Sequence, residues 1–94
     1  MRQADIKANQ IKVDIYSKSN CHLCEVAKDT ILKVKRELDF VVREIDIQTD
    51  AELFEKYKEE IPVIYINNKK SFKYKVDEKE FRKKLERLLK QFGK

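Results

Sequence analysis

Two cysteines, Cys21 and Cys24, stand three positions apart where an alternating apolar run gives way to a helical apolar stripe. Before them, Ile11, Val13 and Ile15 share one face of an extended run, and Lys12, Asp14 and Tyr16 the other. This alternation predicts a strand with one well-buried face, and Asp14 as a partly exposed or paired carboxylate. After them, Leu23, Ala27, Ile31, Val34 and Leu38 recur at helical spacing, which predicts an amphipathic helix from about His22 to Leu38. Glu25 and Asp29 fall early and Lys33, Lys35 and Arg36 late, as the helix dipole favours. These are the chain's only cysteines, and its single histidine, His22, lies between them. A C-x-x-C at a strand-to-helix junction suits a dithiol redox centre, and two thiols with a histidine also raise metal binding.

The remaining pattern limits how that junction is built into a fold. Phe40–Asp46 is β-rich and reads as a second strand, parallel to the first and joined to it through the helix. Thr49-Asp50-Ala51-Glu52 offers a cap and acidic residues for a short helix from about Asp50 to Glu59. Its apolar residues are Leu53, Phe54 and Tyr57. Ile61–Ile66 and Ser71–Tyr74 flank an Asn67-Asn68-Lys69-Lys70 turn and predict a hairpin. Asp77-Glu78-Lys79-Glu80 has the spacing of a capping box before a stripe of Phe81, Leu85, Leu88, Leu89 and Phe92, with Gly93 as the closing cap. Residues 1–10 are polar and aperiodic and read as an N-terminal extension; 11–92 form the folded domain.

Composition narrows the partners. With 94 residues the chain is one small domain, and its 41% hydrophobic content is enough to fold. No apolar run reaches the roughly 18 residues of a membrane span, and Met1–Ile6 has no signal-peptide core. A cytoplasmic location follows as the expectation, one in which thiols stay reduced and a lone pair is catalytic or metal-binding rather than a staple. The net charge of +5 comes from 22 basic residues dispersed among 17 acidic ones. Dispersed charge reads as a solvated surface, not a nucleic-acid footprint, which needs a segregated basic face.

The complete order β-α-β-α-β-β-α, with C-x-x-C opening the first helix and Ile61-Pro62-Val63 opening the third strand, resembles the thioredoxin fold in its minimal, glutaredoxin-like form. The resemblance covers residues 11–92. It implies an α/β fold whose four-stranded mixed sheet is flanked by three helices. It also implies a thiol–disulfide oxidoreductase acting on disulfide-containing proteins or glutathione mixed disulfides. Glutathione would then be a co-substrate, and either glutathione or a thioredoxin-reductase-type enzyme the electron donor. No cofactor beyond the redox-active disulfide, no metal and no membrane or nucleic acid is expected, and the protein is expected to be a monomer. In this fold the proline before the third strand, here Pro62, is cis and packs against the dithiol. The backbone of the preceding residue, here Ile61, is left to pair with extended substrate.

Two cysteines on one helical turn have Cα atoms roughly 5–6 Å apart, which a disulfide spans. They are not equivalent. Cys21 falls at the helix start, where unpaired N–H groups and the dipole stabilise a thiolate, whereas Cys24 lies one turn inside. Cys21 is therefore the expected nucleophile and Cys24 the resolving thiol. Lys18 adds positive charge just upstream. His22 has two open readings: an imidazolium that favours the Cys21 thiolate, or an exposed residue with no part in the chemistry.

The departures from the relatives concern the reductant. Thioredoxins usually carry a buried Asp six residues before the first cysteine, where this chain has Ile15, with Asp14 facing the other way. Their Trp before the motif is replaced by Asn20. Glutathione-using glutaredoxins typically place Gly-Gly and an Asp before the last helix, and here Lys75-Val76-Asp77 stand there. Val76 puts a β-branched side chain where glycine would let a ligand approach the backbone. Leu23 replaces the aromatic usual within the motif. Asp77 and Lys18 are still candidates for glutathione, and capping is the alternative role of Asp77. Two other function classes compete. One is a metal- or iron–sulfur-binding module in which a homodimer pools two C-x-x-C pairs. The other is a redox-inert interaction domain.

Overall fold

The computed structural model describes residues 10–92. The expected N-terminal extension, apart from Gln10, lies outside the described residues, as does the expected cap at Gly93. Seven elements follow in the expected order: β1 (Lys12–Ser17), α1 (His22–Lys35), β2 (Val41–Asp46), α2 (Ala51–Tyr57), β3 (Val63–Ile66), β4 (Lys69–Lys73) and α3 (Glu78–Phe92). A single 3-10 turn, Ile47–Thr49, links β2 to α2. The strands form one mixed sheet in the order β2-β1-β3-β4. β1 runs parallel to β2, with Lys12 opposite Val41 and Ser17 opposite Asp46, and antiparallel to β3, with Val13 opposite Ile66.

The helix starts are set by side-chain caps. Asp50 accepts hydrogen bonds from the backbone N–H groups of Glu52 (2.8 Å) and Leu53 (3.3 Å), and Asp77 accepts from that of Glu80 (3.1 Å). Such caps satisfy amides that have no partner inside the helix. At the far end of α1 the helix stops at Lys35, three residues short of the expected Leu38. There the amides of Arg36 and Glu37 reach back three residues, to Lys33 and Val34, so the last turn tightens. Leu38 still packs against the core.

The hairpin turn is also tighter than the expected four residues. Asn67 and Asn68 alone make it, at φ 50° and 68°, and β4 begins at Lys69. Two consecutive left-handed residues fit the strand twist of a two-residue hairpin, and Asn tolerates that backbone better than other residues with a Cβ.

The expectation of one buried face for β1 is overturned. β1 lies in the interior of the sheet and both its faces are covered. Val13 and Ile15 are buried beneath α1 and α3, in a cluster with Ile31, Val34, Phe81 and Leu85. On the opposite face, where α2 packs, Asp14 is 5% exposed and Tyr16 half-buried. Asp14 tolerates this because it is paired: Arg43 of β2 reaches both its carboxylate oxygens, Nε at 3.3 Å and Nη2 at 3.4 Å. The first cluster is centred on Phe81, whose ring meets Phe40 and Phe72 edge-on at 5.7 and 6.2 Å. The second holds Cys24, Ile47, Tyr57, Ile61 and Val63, with Tyr16 and Tyr65 against it. The dithiol is thus built onto a packed floor.

Candidate active site

Cys21 and Cys24 form a disulfide, with their Cα atoms 5.2 Å apart. Cys21 is the N-cap of α1, extended at φ −118° and ψ 104°, and its sulfur accepts the backbone N–H of Cys24 at 3.2 Å. The sequence places sulfur where Ser, Thr or Asp usually stands, so the helix N-terminus directs a free amide at the Cys21 sulfur. The two sulfurs differ in access. Cys24 is 3% exposed, packed in the second core cluster, whereas Cys21 lies at its edge, half-buried. An attacking thiolate needs access and a stabilising field; a resolving thiol needs only to reach the first sulfur.

The loop before Cys21 is anchored by residues the sequence did not mark. Ser19 binds Gln48 Oε1 through both its backbone N–H (3.3 Å) and its hydroxyl (3.0 Å). Asn20 follows at φ 57°, again the residue type that accepts a left-handed backbone. Ser17 is buried and its hydroxyl donates to Glu44 Oε2 at 3.1 Å, while Glu44 Oε1 pairs with Lys28 at 3.1 Å. Lys18 lines a surface depression of about 320 Å³ in which Glu25, Glu44 and Asp46 also stand. Three carboxylates thus share that depression with Lys18.

The other sequence candidates divide into those near the dithiol and those elsewhere. Ile61–Pro62 is a cis peptide bond, and Ile61 packs in the same cluster as Cys24. Ile61 is less available to a substrate than expected. Its N–H donates to Tyr57 O at 3.2 Å, closing the turn after α2, so its carbonyl alone lacks a backbone partner among the described residues. His22 is exposed at the first position of α1. Leu23, expected to begin the buried stripe, is 50% exposed, and the stripe starts at Cys24 instead. The reason is angular: with Ala27, Ile31 and Val34 inward, Cys24 precedes Ala27 and Ile31 by three and seven positions, on the same face, and Leu23 is displaced to the rim. Asp77 caps α3, and Val76 packs against the first core cluster.

Three tyrosines complete the floor beside the dithiol. Tyr16 lies 4.7 Å from Tyr57 and 5.4 Å from Tyr65, centroid to centroid, and the Tyr57 and Tyr65 hydroxyls are hydrogen-bonded at 2.8 Å. Burial, with the Tyr65 hydrogen bond, pushes the Tyr57 hydroxyl well above the ordinary tyrosine range. Among the described residues no group of three or more His, Cys, Asp and Glu side chains is arranged to hold a metal ion.

The comparisons with known proteins agree with this geometry. Residues 12–86 match the glutaredoxin-like domain (DUF836). The chain is 32% identical over 87 residues to the glutaredoxin-like protein YDR286C homolog of Dictyostelium discoideum, an alignment spanning 86% of this chain and 81% of that protein. The solution structure of protein Ne2328 from Nitrosomonas europaea superposes with a TM-score of 0.71 at 23% identity, covering 84% of this chain and 95% of that one. Thioredoxin 1 from Thermosipho africanus superposes with a TM-score of 0.66 at 17% identity, over 88% and 99% of the two chains. These two structures establish a thioredoxin-like fold. No described helix is long and apolar enough to cross a membrane. The fold, the domain match and the Cys21–Cys24 disulfide together support a thiol–disulfide redox role. The chain belongs to the glutaredoxin-like domain family.

Proposed function

We propose that the protein is a dithiol reductant of disulfides in proteins or of mixed disulfides with glutathione. The observation that carries this reading is the inequality of the two sulfurs: Cys21 caps a helix at the surface, and Cys24 is buried one turn inside. In the reduced protein the Cys21 thiolate attacks one sulfur of a substrate disulfide. A Cys21–substrate disulfide forms and the other substrate sulfur leaves as thiolate, taking a proton from water. Cys24, deprotonated to solvent, then attacks the Cys21 sulfur. The Cys21–Cys24 disulfide forms and the second substrate thiolate departs. Two electrons pass from the dithiol to the substrate, and a thiol donor returns them by the reverse exchange.

Of the residues around the pair, Lys18 and His22 are proposed to tune Cys21, and Leu23, Ile61 and Pro62 to form the substrate surface. Asp77 would meet the amine of glutathione only with the carboxylate oxygen that capping leaves over. The capping role of Asp77 and the carboxylates that share the Lys18 depression favour a dithiol donor over glutathione. The test is to measure reduction of insulin and of a glutathione mixed disulfide, each driven separately by glutathione with glutathione reductase and by thioredoxin reductase. Turnover with the reductase system alone is the expected result. Turnover with glutathione alone reverses the donor assignment, and failure with both removes the oxidoreductase reading.

A further inference from the structure

The described chain contains no glycine, and four of its residues adopt positive φ: Asn20, Asn67, Asn68 and Tyr74. Three are asparagines, which tolerate that backbone. Tyr74, at φ 71°, is the exception, and a bulky residue there is a conformational outlier. It is also the centre of a three-residue turn, closed by the Lys75 N–H on Lys73 O at 2.8 Å, a turn that at positive φ is the strained member of its class.

Strain of this kind persists where the surroundings impose it, and here they are the edge of the dithiol site. The Tyr74 N–H donates to Pro62 O at 2.8 Å and, more weakly, to Glu60 O at 3.3 Å. The turn is therefore fastened to the residue that follows Ile61 in the dithiol's own cluster. Core packing does not account for the ring, because Tyr74 is 46% exposed. Glycine would make the same backbone hydrogen bonds without the steric penalty. The strained backbone costs stability, and a ring that is nearly half exposed returns only part of it through burial.

We infer that Tyr74 is a specificity-determining residue for the proposed reaction, its ring receiving an apolar side chain that neighbours the reacting cysteine of a polypeptide substrate. Leu23, two positions after Cys21 on the first turn of α1 and 50% exposed, is a second exposed apolar side chain, and the proposed apolar rim consists of it and Tyr74. A glutathione mixed disulfide offers this rim only a γ-glutamyl and a glycyl neighbour, neither apolar. A protein disulfide flanked by Leu, Phe or Val offers a side chain that the rim desolvates. Lys73 Nζ lies over one face of the ring, 5.3 Å from its centroid, and steadies it there.

This inference rests on the dithiol reading, and the test separates the two. Pre-reduced protein freed of small thiols is mixed with two disulfides in turn: a peptide disulfide whose cysteine is flanked by Leu and Phe, and hydroxyethyl disulfide. Wild type, Tyr74→Phe and Tyr74→Gly are compared by stopped-flow and by thermal melting. The expected result is that Tyr74→Gly melts no lower than wild type, and loses on the order of tenfold in second-order rate on the peptide. Its rate on hydroxyethyl disulfide should be unchanged, and Tyr74→Phe should match wild type on both. A lower melting temperature with equal losses on both disulfides would show the ring to be structural and overturn the inference. An unchanged peptide rate in Tyr74→Gly overturns it as well. A wild type that reduces neither disulfide removes the dithiol reading, and the inference with it.

Discussion

The backbone N–H of Cys24 points at the sulfur of Cys21 from 3.2 Å, so the amide of the proposed resolving cysteine caps the sulfur that its own thiolate would attack. When the disulfide opens, that amide and the helix dipole act on an anion. In a Cys24→Ser variant, Cys21 should react with iodoacetamide at pH 6 on the order of ten times faster than an unstructured cysteine. Urea should abolish the difference, because the field belongs to the fold. The same variant should trap a mixed disulfide through Cys21, visible by mass spectrometry. Equal alkylation rates in folded and unfolded protein would refute the proposed role of the cap.

Asp14 and Arg43 form an asymmetric pair: the carboxylate side chain is 7% exposed and the guanidinium side chain 70%. Removing the arginine leaves a buried charge with poor solvation, which costs more than the pair contributes by being made. Arg43→Met is expected to destabilise by on the order of 1–2 kcal/mol, discounted because the pair opens to solvent on the Arg43 side. Adding Asp14→Asn should recover part of that loss, since the stranded charge is gone. Urea denaturation of the three variants checks this, and a double variant less stable than Arg43→Met would contradict it.

These pairings show what the sequence could and could not reveal. Periodicity located every element, because the apolar stripes of α1 and α3 and the alternation in β1 follow directly from helix and strand geometry. It misjudged β1 itself. Asp14 and Tyr16 look like an outward face, and only long-range contacts show otherwise: Arg43 of β2 pairs with Asp14, and Tyr57 of α2 packs on Tyr16. Leu23 fitted the helical spacing as well as Cys24 did, and periodicity alone weighed leucine as core and cysteine as chemistry. Within the candidate site, Cys21, Cys24 and Pro62 stand out as the chain's only two cysteines and its only proline. Tyr74 had no local signal, since its backbone is imposed by Pro62, twelve residues away.

Tyr57 and Tyr65 share a hydrogen bond beside the dithiol, between a buried tyrosine and a half-buried one. Replacing one tyrosine with phenylalanine leaves the partner's hydroxyl with reduced hydrogen bonding; replacing both leaves no orphan. Each single Phe variant is expected to lose about 1 kcal/mol, and the double variant less than the sum of the two. A double-mutant cycle in urea measures the coupling. The raised Tyr57 value adds a pH signature: its contribution is intact below the ordinary tyrosine range and is lost as pH rises through the folded-state value. Additive losses would argue that each hydroxyl has another partner.

Glu37 and Glu60 respond to acid in the opposite sense. Arg82 holds the Glu37 carboxyl below the usual value of 4.5 through a 2.7 Å hydrogen bond, and Lys70 does the same for Glu60 at 2.6 Å. A folded-state value below the unfolded one means that the unfolded chain binds more protons in between, so stability rises with pH across that window. The contribution is complete above 4.5 and disappears as pH falls through the depressed values. Wild type should therefore melt at a constant temperature from about pH 6 to 8 and lose stability steeply below about pH 4.5. Glu37→Gln/Glu60→Gln should start slightly lower at neutral pH and show a shallower acid slope. Both pairs are exposed, so high salt should narrow the gap between the two proteins at neutral pH. Parallel acid slopes would mean that these pairs leave acid stability untouched and that other carboxylates set it.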